Sequence, residues 1–216
     1  MKFNLLQPKN KDIEYAMKKY EEDEKYCDKK IYALCIEEMK KINICEINDK
    51  DDMQIIRLFL VNWGLLSRAI KGRKYWKKDL SEKLKAICNE LERFKELRLE
   101  DEEISSHEND IIKCYKEIKS KFGPTTTSKV LHLICPRFFP MWDGKIRKKI
   151  NSDPQTLRQD RIVESPAGYF KFMKAIYDFM EKNNQILDSL NDKYGWDNNL
   201  KIVDEFFMGA FIVNKN

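Results

Sequence analysis

The stretch MQIIRLFLVNWGLLSRAI, residues 53–70, decides the fold class. Ile55, Ile56, Phe59, Leu60, Trp63, Leu66 and Ile70 recur at steps of three and four, the period of one helix face and not of a strand. The polar turn NDKDD, residues 48–52, stands before it and supplies side chains suited to a helix N-cap. No other helical run in the chain is as apolar, so this one reads as the central core helix.

The same period continues outward. Ile31, Leu34, Cys35 and Met39 mark a helix over 28–42. Leu80, Leu84, Ile87, Cys88, Leu91 and Phe94 mark another over 79–97, capped by Asp79 or Ser81. Further helices are expected over 108–121, 166–190 and 198–213, the second of them apolar on more than one side, as deep burial requires. No Val/Ile/Thr alternation is long enough for a sheet, and 7 Gly and 6 Pro are too few for a many-turned β architecture. The expectation is an all-α, compact protein, a single helical domain over 1–216 with possible lobes 1–104 and 105–216 around a groove.

Composition bounds the function. A chain 42% hydrophobic and 36% charged folds into a globule with a highly charged surface, which excludes a disordered chain. A net charge of +5 permits nucleic-acid binding without requiring it. The sequence shows no signal-peptide core, and no apolar run nears the ~18 residues of a membrane span, so a cytoplasmic monomer free of membranes is expected. Six cysteines (27, 35, 45, 88, 114 and 135) form no Cys-x-x-Cys pair and read as buried thiols of a reducing compartment, ahead of disulfides or zinc. Asp49, Asp51 and Asp52 precede a helix and read as caps before metal ligands. No metal or cofactor is expected.

The most informative segment is GPTTTSKVLHLICP, residues 123–136, followed by RFFPMWDGKIRKKI, residues 137–150. Thr125, Thr126, Thr127 and Ser128 at a helix start supply caps for its N–H groups, and those N–H groups with Lys129 also suit a phosphate. Gly123 and Lys129 have the outer spacing of a nucleotide-binding loop, but Ser128 replaces its second glycine and Val130 its hydroxyl residue, which excludes that chemistry. Asp143 stands directly before a short basic helix. Its plain role is an N-cap worth about 1 kcal/mol; its functional role is a carboxylate at a pocket mouth. Lys145, Arg147 and Lys148 then face a DNA backbone, with Arg73 and Lys74 of the basic, aromatic stretch 68–78 as a second contact. Trp142, Phe139, His132 and Trp63 are the candidate walls of a pocket for an extruded base, against the plainer reading that they fill the core.

The order of a glycine turn, a Ser-Lys-Val-Leu helix, Pro-x-x-Asp and a basic helix resembles the helix-hairpin-helix DNA glycosylases over about residues 122–150. That resemblance implies a hairpin gripping double-stranded DNA, Asp143 as the catalytic carboxylate, and Lys129 as either a Schiff-base nucleophile or a phosphate contact. The chain departs from the family in three ways: the hairpin's second glycine is absent, the Lys129–Asp143 stretch is short, and the four-cysteine iron–sulfur motif is missing. Trp63-Gly64, Ser128-Lys129 with Pro-x-x-Asp, and LKIVD at 200–204 also resemble a set of uncharacterised microbial proteins. The implied function is base excision. Alternatives are nucleic-acid binding without catalysis and a helical interaction module.

Overall fold

The computed structural model describes residues 8–22, 28–48, 50–63, 74–151, 163–196 and 198–213. Among them are ten α-helices and no strand: α1 (Asn10–Glu22), α2 (Lys29–Lys40), α3 (Asp52–Asn62), α4 (Trp76–Lys85), α5 (Cys88–Lys95), α6 (Glu108–Lys119), α7 (Pro124–Ile134), α8 (Gly144–Asn151), α9 (Pro166–Tyr194) and α10 (Asn199–Val213). The all-α expectation holds. One hydrophobic cluster runs from Ile13 to Ala210 through every one of these helices.

The central helix is α10, not the stretch that opens at Met53. Leu200, Ile202, Val203, Phe206, Phe207, Met208 and Ala210 are all buried, on every side of α10. By contrast α3 buries Met53, Ile56, Phe59 and Leu60 but leaves Leu58 and Val61 exposed, so it is an amphipathic cover. Residues 64–70 of that stretch lie outside the described residues. The helix α1 lies along α10 with Ile13, Ala16, Met17 and Tyr20 inward. Their backbones nearly touch: a Cβ on Gly209 would stand 1.9 Å from the Ala16 carbonyl oxygen.

Local chemistry sets the ends. Asp28 caps α2 by accepting from the Lys30 and Ile31 N–H groups, and Asn62 clasps the Asp28 backbone at both N–H and C=O. That clasp fixes the end of α3, and with it Trp63, beside the start of α2. The helix expected over 79–97 is two helices broken at Ala86–Ile87, and it begins at Trp76. Neither Asp79 nor Ser81 is its cap; the Ser81 hydroxyl instead donates to the Lys78 carbonyl. The break brings Cys88 to Cys45, and the two are disulfide-bonded. This corrects the reading of all six cysteines as thiols: Cys35, Cys114 and Cys135 are buried thiols, Cys45 and Cys88 are not, and Cys27 lies outside the described residues. Among the described residues no helix is long and apolar enough to cross a membrane.

Two outcomes are expected. Gly209→Ala forces α1 off α10 and costs about 1–3 kcal/mol, read as a lower midpoint in thermal or urea denaturation. Dithiothreitol removes a link across 43 residues. It lowers the midpoint by the equivalent of about 2–4 kcal/mol while the far-ultraviolet helical signal below the transition stays.

Candidate functional site

The glycine turn starts α7 with Gly123 as N-cap and Pro124 in its first turn, where a missing N–H is harmless. The hydroxyls that follow do not cap it. Thr127 donates to the Gly123 carbonyl, and Ser128 donates to the Thr125 carbonyl. Ser128 also accepts the Trp142 N–H at 3.0 Å. The turn's capping role therefore falls to the backbone, and Ser128 ties α7 to the junction that carries Asp143.

Two more buried hydrogen bonds hold that junction. His132 Nδ1 donates to the Phe139 carbonyl at 2.8 Å, and the Tyr169 hydroxyl donates to the Pro140 carbonyl at 2.8 Å. Asp143 then caps α8, its Oδ1 accepting from the Lys145 and Ile146 N–H groups at 2.8 Å each. The N-cap role read from sequence is realised. Both bonds go to one carboxylate oxygen.

Beside this junction, α10 presents charges inside the core. Lys201 is 1% exposed, Asp204 6% and Glu205 0%. Lys201 Nζ lies 3.5 Å from Asp204 Oδ2 and 3.4 Å from Glu205 Oε1. Four rings surround the ammonium: Tyr32 at 4.6 Å, Trp63 at 5.2 Å, Trp196 at 5.5 Å and Tyr20 at 5.8 Å. Lys129 Nζ sits over the same Trp63 ring at 3.8 Å. Trp196 Nε1 donates to Glu205 Oε2.

The electrostatics follow from burial. Desolvation pushes the Asp204 carboxyl up to about 6, with Lys201 and Lys129 pulling it down and Asp143 and Glu205 raising it further. Burial opposes the charge on Lys201, but Tyr20, Glu205 and Asp204 more than offset it and hold its ammonium well above the ordinary lysine range. Burial, together with Lys201 and Lys129, takes His132 down to about 3, against its bond to Phe139. His132 is therefore neutral, with Nδ1–H on Phe139 and Nε2 accepting from the Tyr32 hydroxyl at 2.7 Å.

The other residues singled out by sequence scatter. Thr126, Thr127, Ser128 and His132 are buried, so their side chains face the core and not a phosphate; Thr125 is half-buried beside Gly123. Trp142 is fully buried and stacks on Phe172, and Phe139 packs on Phe94, so both fill the core instead of lining an open base pocket. Arg147 is held at the Trp142 carbonyl and Glu164, while Lys145 and Lys148 are exposed on α8. Lys74 is exposed against Tyr75, distant in sequence from α8; Arg73 lies outside the described residues. Among the described residues no group of three or more His, Cys, Asp or Glu side chains could hold a metal ion.

Sequence reading did not place Lys201, Asp204 and Glu205 together in the core. The available signal was three charges inside an otherwise apolar run, LKIVDEFFMGA at 200–210. A cleft of about 210 Å³ opens against Lys201, Tyr32 and Trp196. No family model matches the chain, and comparison with curated proteins and with solved structures finds no match.

The raised Asp204 carboxyl gives a signed pH effect. Its folded-state value lies above the ordinary 3.8. The stability it contributes is present below the unfolded value and is lost as pH rises through about 6. The difference between wild type and Asp204→Asn in urea-derived stability is expected to fall, from pH 4 to pH 7, by on the order of 3 kcal/mol to the disadvantage of wild type. A flat difference would show that Asp204 ionises as readily as in an unfolded chain.

Proposed function

We propose that the chain is a DNA glycosylase of the helix-hairpin-helix kind, acting in the cytoplasm as a monomer on a nucleotide turned out of duplex DNA, with Lys129 and Asp143 at the reacting centre. One observation carries this reading. Lys129 Nζ on α7 lies 3.8 Å from the centre of the Trp63 ring, and its neighbour Ser128 binds the Trp142 N–H, which ties α7 to the junction that carries Asp143. The exposed Lys145 and Lys148 on the adjoining α8 supply phosphate contacts.

The chemistry asks little more. Cleavage of an N-glycosidic bond builds positive charge on the sugar, and the Asp143 carboxylate stabilises it. The Lys129 amine, after losing a proton to solvent, donates its lone pair to the sugar carbon as the base departs with the bond's electron pair and takes up a proton from water. Transfer of one amine proton to Asp143 then lets the sugar ring open to a Schiff base. The junction's three buried hydrogen bonds, from Ser128, His132 and Tyr169, hold Asp143 still while this occurs.

The two capping bonds to Asp143 Oδ1 favour a second reading, in which the carboxylate is structural and the chain binds DNA without cutting it. A panel of lesion-bearing duplex oligonucleotides separates the two. Wild type is expected to release a base, and borohydride to trap the protein on the DNA. Asparagine is a good cap, so Asp143→Asn keeps the fold while base release falls by about 10²–10³. Lys129→Gln loses the trapped adduct and, with no amine to displace the base, lowers base release as well. Salt-sensitive binding with no base released from any lesion would establish the second reading.

A further inference from the structure

The disulfide between Cys45 and Cys88 is open to solvent, unlike the other described cysteines. Both of its residues are half-buried and Asn89 beside them is exposed, whereas Cys35, Cys114 and Cys135 are enclosed in the core. Burial pushes all three of those thiols up, Cys35 to about 11, which leaves little thiolate at neutral pH. Among the described residues, accessible sulfur chemistry therefore belongs to the bonded pair.

The segments that carry this bond are held together without it. Cys45 sits in the short turn Ile44–Glu46, where the Asn43 side chain accepts its N–H at 3.0 Å, and Ile44 and Ile47 anchor the turn in the core. The Ile44 N–H donates to Glu92 Oε1 at 2.6 Å, and Lys95 Nζ donates to the Ile42 carbonyl while pairing with the same Glu92. Glu92 and Lys95 follow Cys88 by four and seven residues, on the same face of α5. Opening the S–S bond thus leaves the two sulfurs opposed. Their chemistry is unequal. Cys88 is the first residue of α5, whose start has no side-chain cap, and the positive end of that helix favours a thiolate there. Cys45 lies outside any α-helix.

We propose that Cys45–Cys88 is a thiol–disulfide exchange site, opened and closed in the folded protein by a small thiol of the glutathione class. The incoming thiolate attacks Cys45 Sγ, and the electron pair of the Cys45–Cys88 bond leaves on Cys88 as a thiolate. A second small thiolate attacks the small-molecule sulfur of the resulting mixed disulfide, which frees the small disulfide and leaves Cys45 as a thiolate. Two small thiols are thereby oxidised to one disulfide, and their electrons and protons pass to the protein pair. Closure runs backwards: Cys45 attacks the small disulfide, then Cys88 attacks Cys45 Sγ and expels the small thiolate. The exchange is independent of base excision and does not rest on it.

The test follows the rate at which glutathione opens the bond in the whole wild-type chain, in urea below the unfolding transition. Samples are quenched in acid and alkylated, and Cys45 and Cys88 are read separately by peptide mass. Opening from the folded state is expected to change by less than about twofold per molar urea. A bond reached only through global unfolding would open about fivefold or more faster per molar, with the unfolding equilibrium. Glutathione disulfide is expected to restore the bond while the far-ultraviolet helical signal stays unchanged. In Cys88→Ser it is expected to leave a lasting adduct on Cys45, since no thiol remains to resolve it. At pH 7 the Cys88 thiol of Cys45→Ser is expected to alkylate about fivefold faster than the Cys45 thiol of Cys88→Ser. A steep urea dependence, no opening below the transition, no adduct on Cys45, or alkylation of Cys88 no faster than of Cys45 would each overturn the site. The urea series needs no variant, so it decides the case even where a substitution unfolds the chain.

Discussion

Lys201 carries an ammonium into the middle of a helical bundle, where an isolated charge costs several kcal/mol. The surroundings answer it in two ways. Asp204 and Glu205, one turn further along α10, supply counter-charge at 3.5 and 3.4 Å, and the ammonium lies over the electron-rich faces of Tyr20, Tyr32, Trp63 and Trp196. Those four rings come from α1, α2, the end of α3 and the turn before α10. Compensating one charge thus requires the elements around α10 to be in place together. Removing Lys201 alone would strand two carboxylates, so the cluster constrains the fold as a unit.

A second constraint is polar and lies alongside. The junction from Phe139 to Asp143 has no regular structure, yet its backbone is tied by His132, Tyr169 and Ser128. Because His132 also accepts from Tyr32, the junction and the ring cage share one side chain. A neutral imidazole is needed for both bonds, and burial keeps it neutral. Through this link the position of Asp143 depends on the same core that holds Lys201.

Much of the helix layout was legible because periodicity reports burial directly. The spans expected at 108–121, 166–190 and 198–213 correspond to Glu108–Lys119, Pro166–Tyr194 and Asn199–Val213. The break between α4 and α5 was not legible. Ala86–Ile87 carries no glycine or proline, and the apolar spacing passes through it unbroken. Its cause is tertiary: α5 turns so that Leu91 and Phe94 reach the core and Cys88 meets Cys45. Within the candidate site, Asp143 was legible as a cap because a helix start follows it. Thr127 and Ser128 were misread as caps because a hydroxyl at a helix start serves equally well by bonding back to a carbonyl.

Sequence alone determined that the chain is all-α, where most helices run, and that Lys129 and Asp143 flank a short junction. Hydrophobic period and local capping chemistry are properties of neighbouring residues, so they need no knowledge of the fold. Only the tertiary structure decided which helix is central and which charges are buried. A Lys with Asp and Glu at the third and fourth positions after it is the spacing of an ordinary surface ion pair. The packing of α1, α8 and α9 around α10 puts that pair in the core, where the same atoms gain a different chemistry.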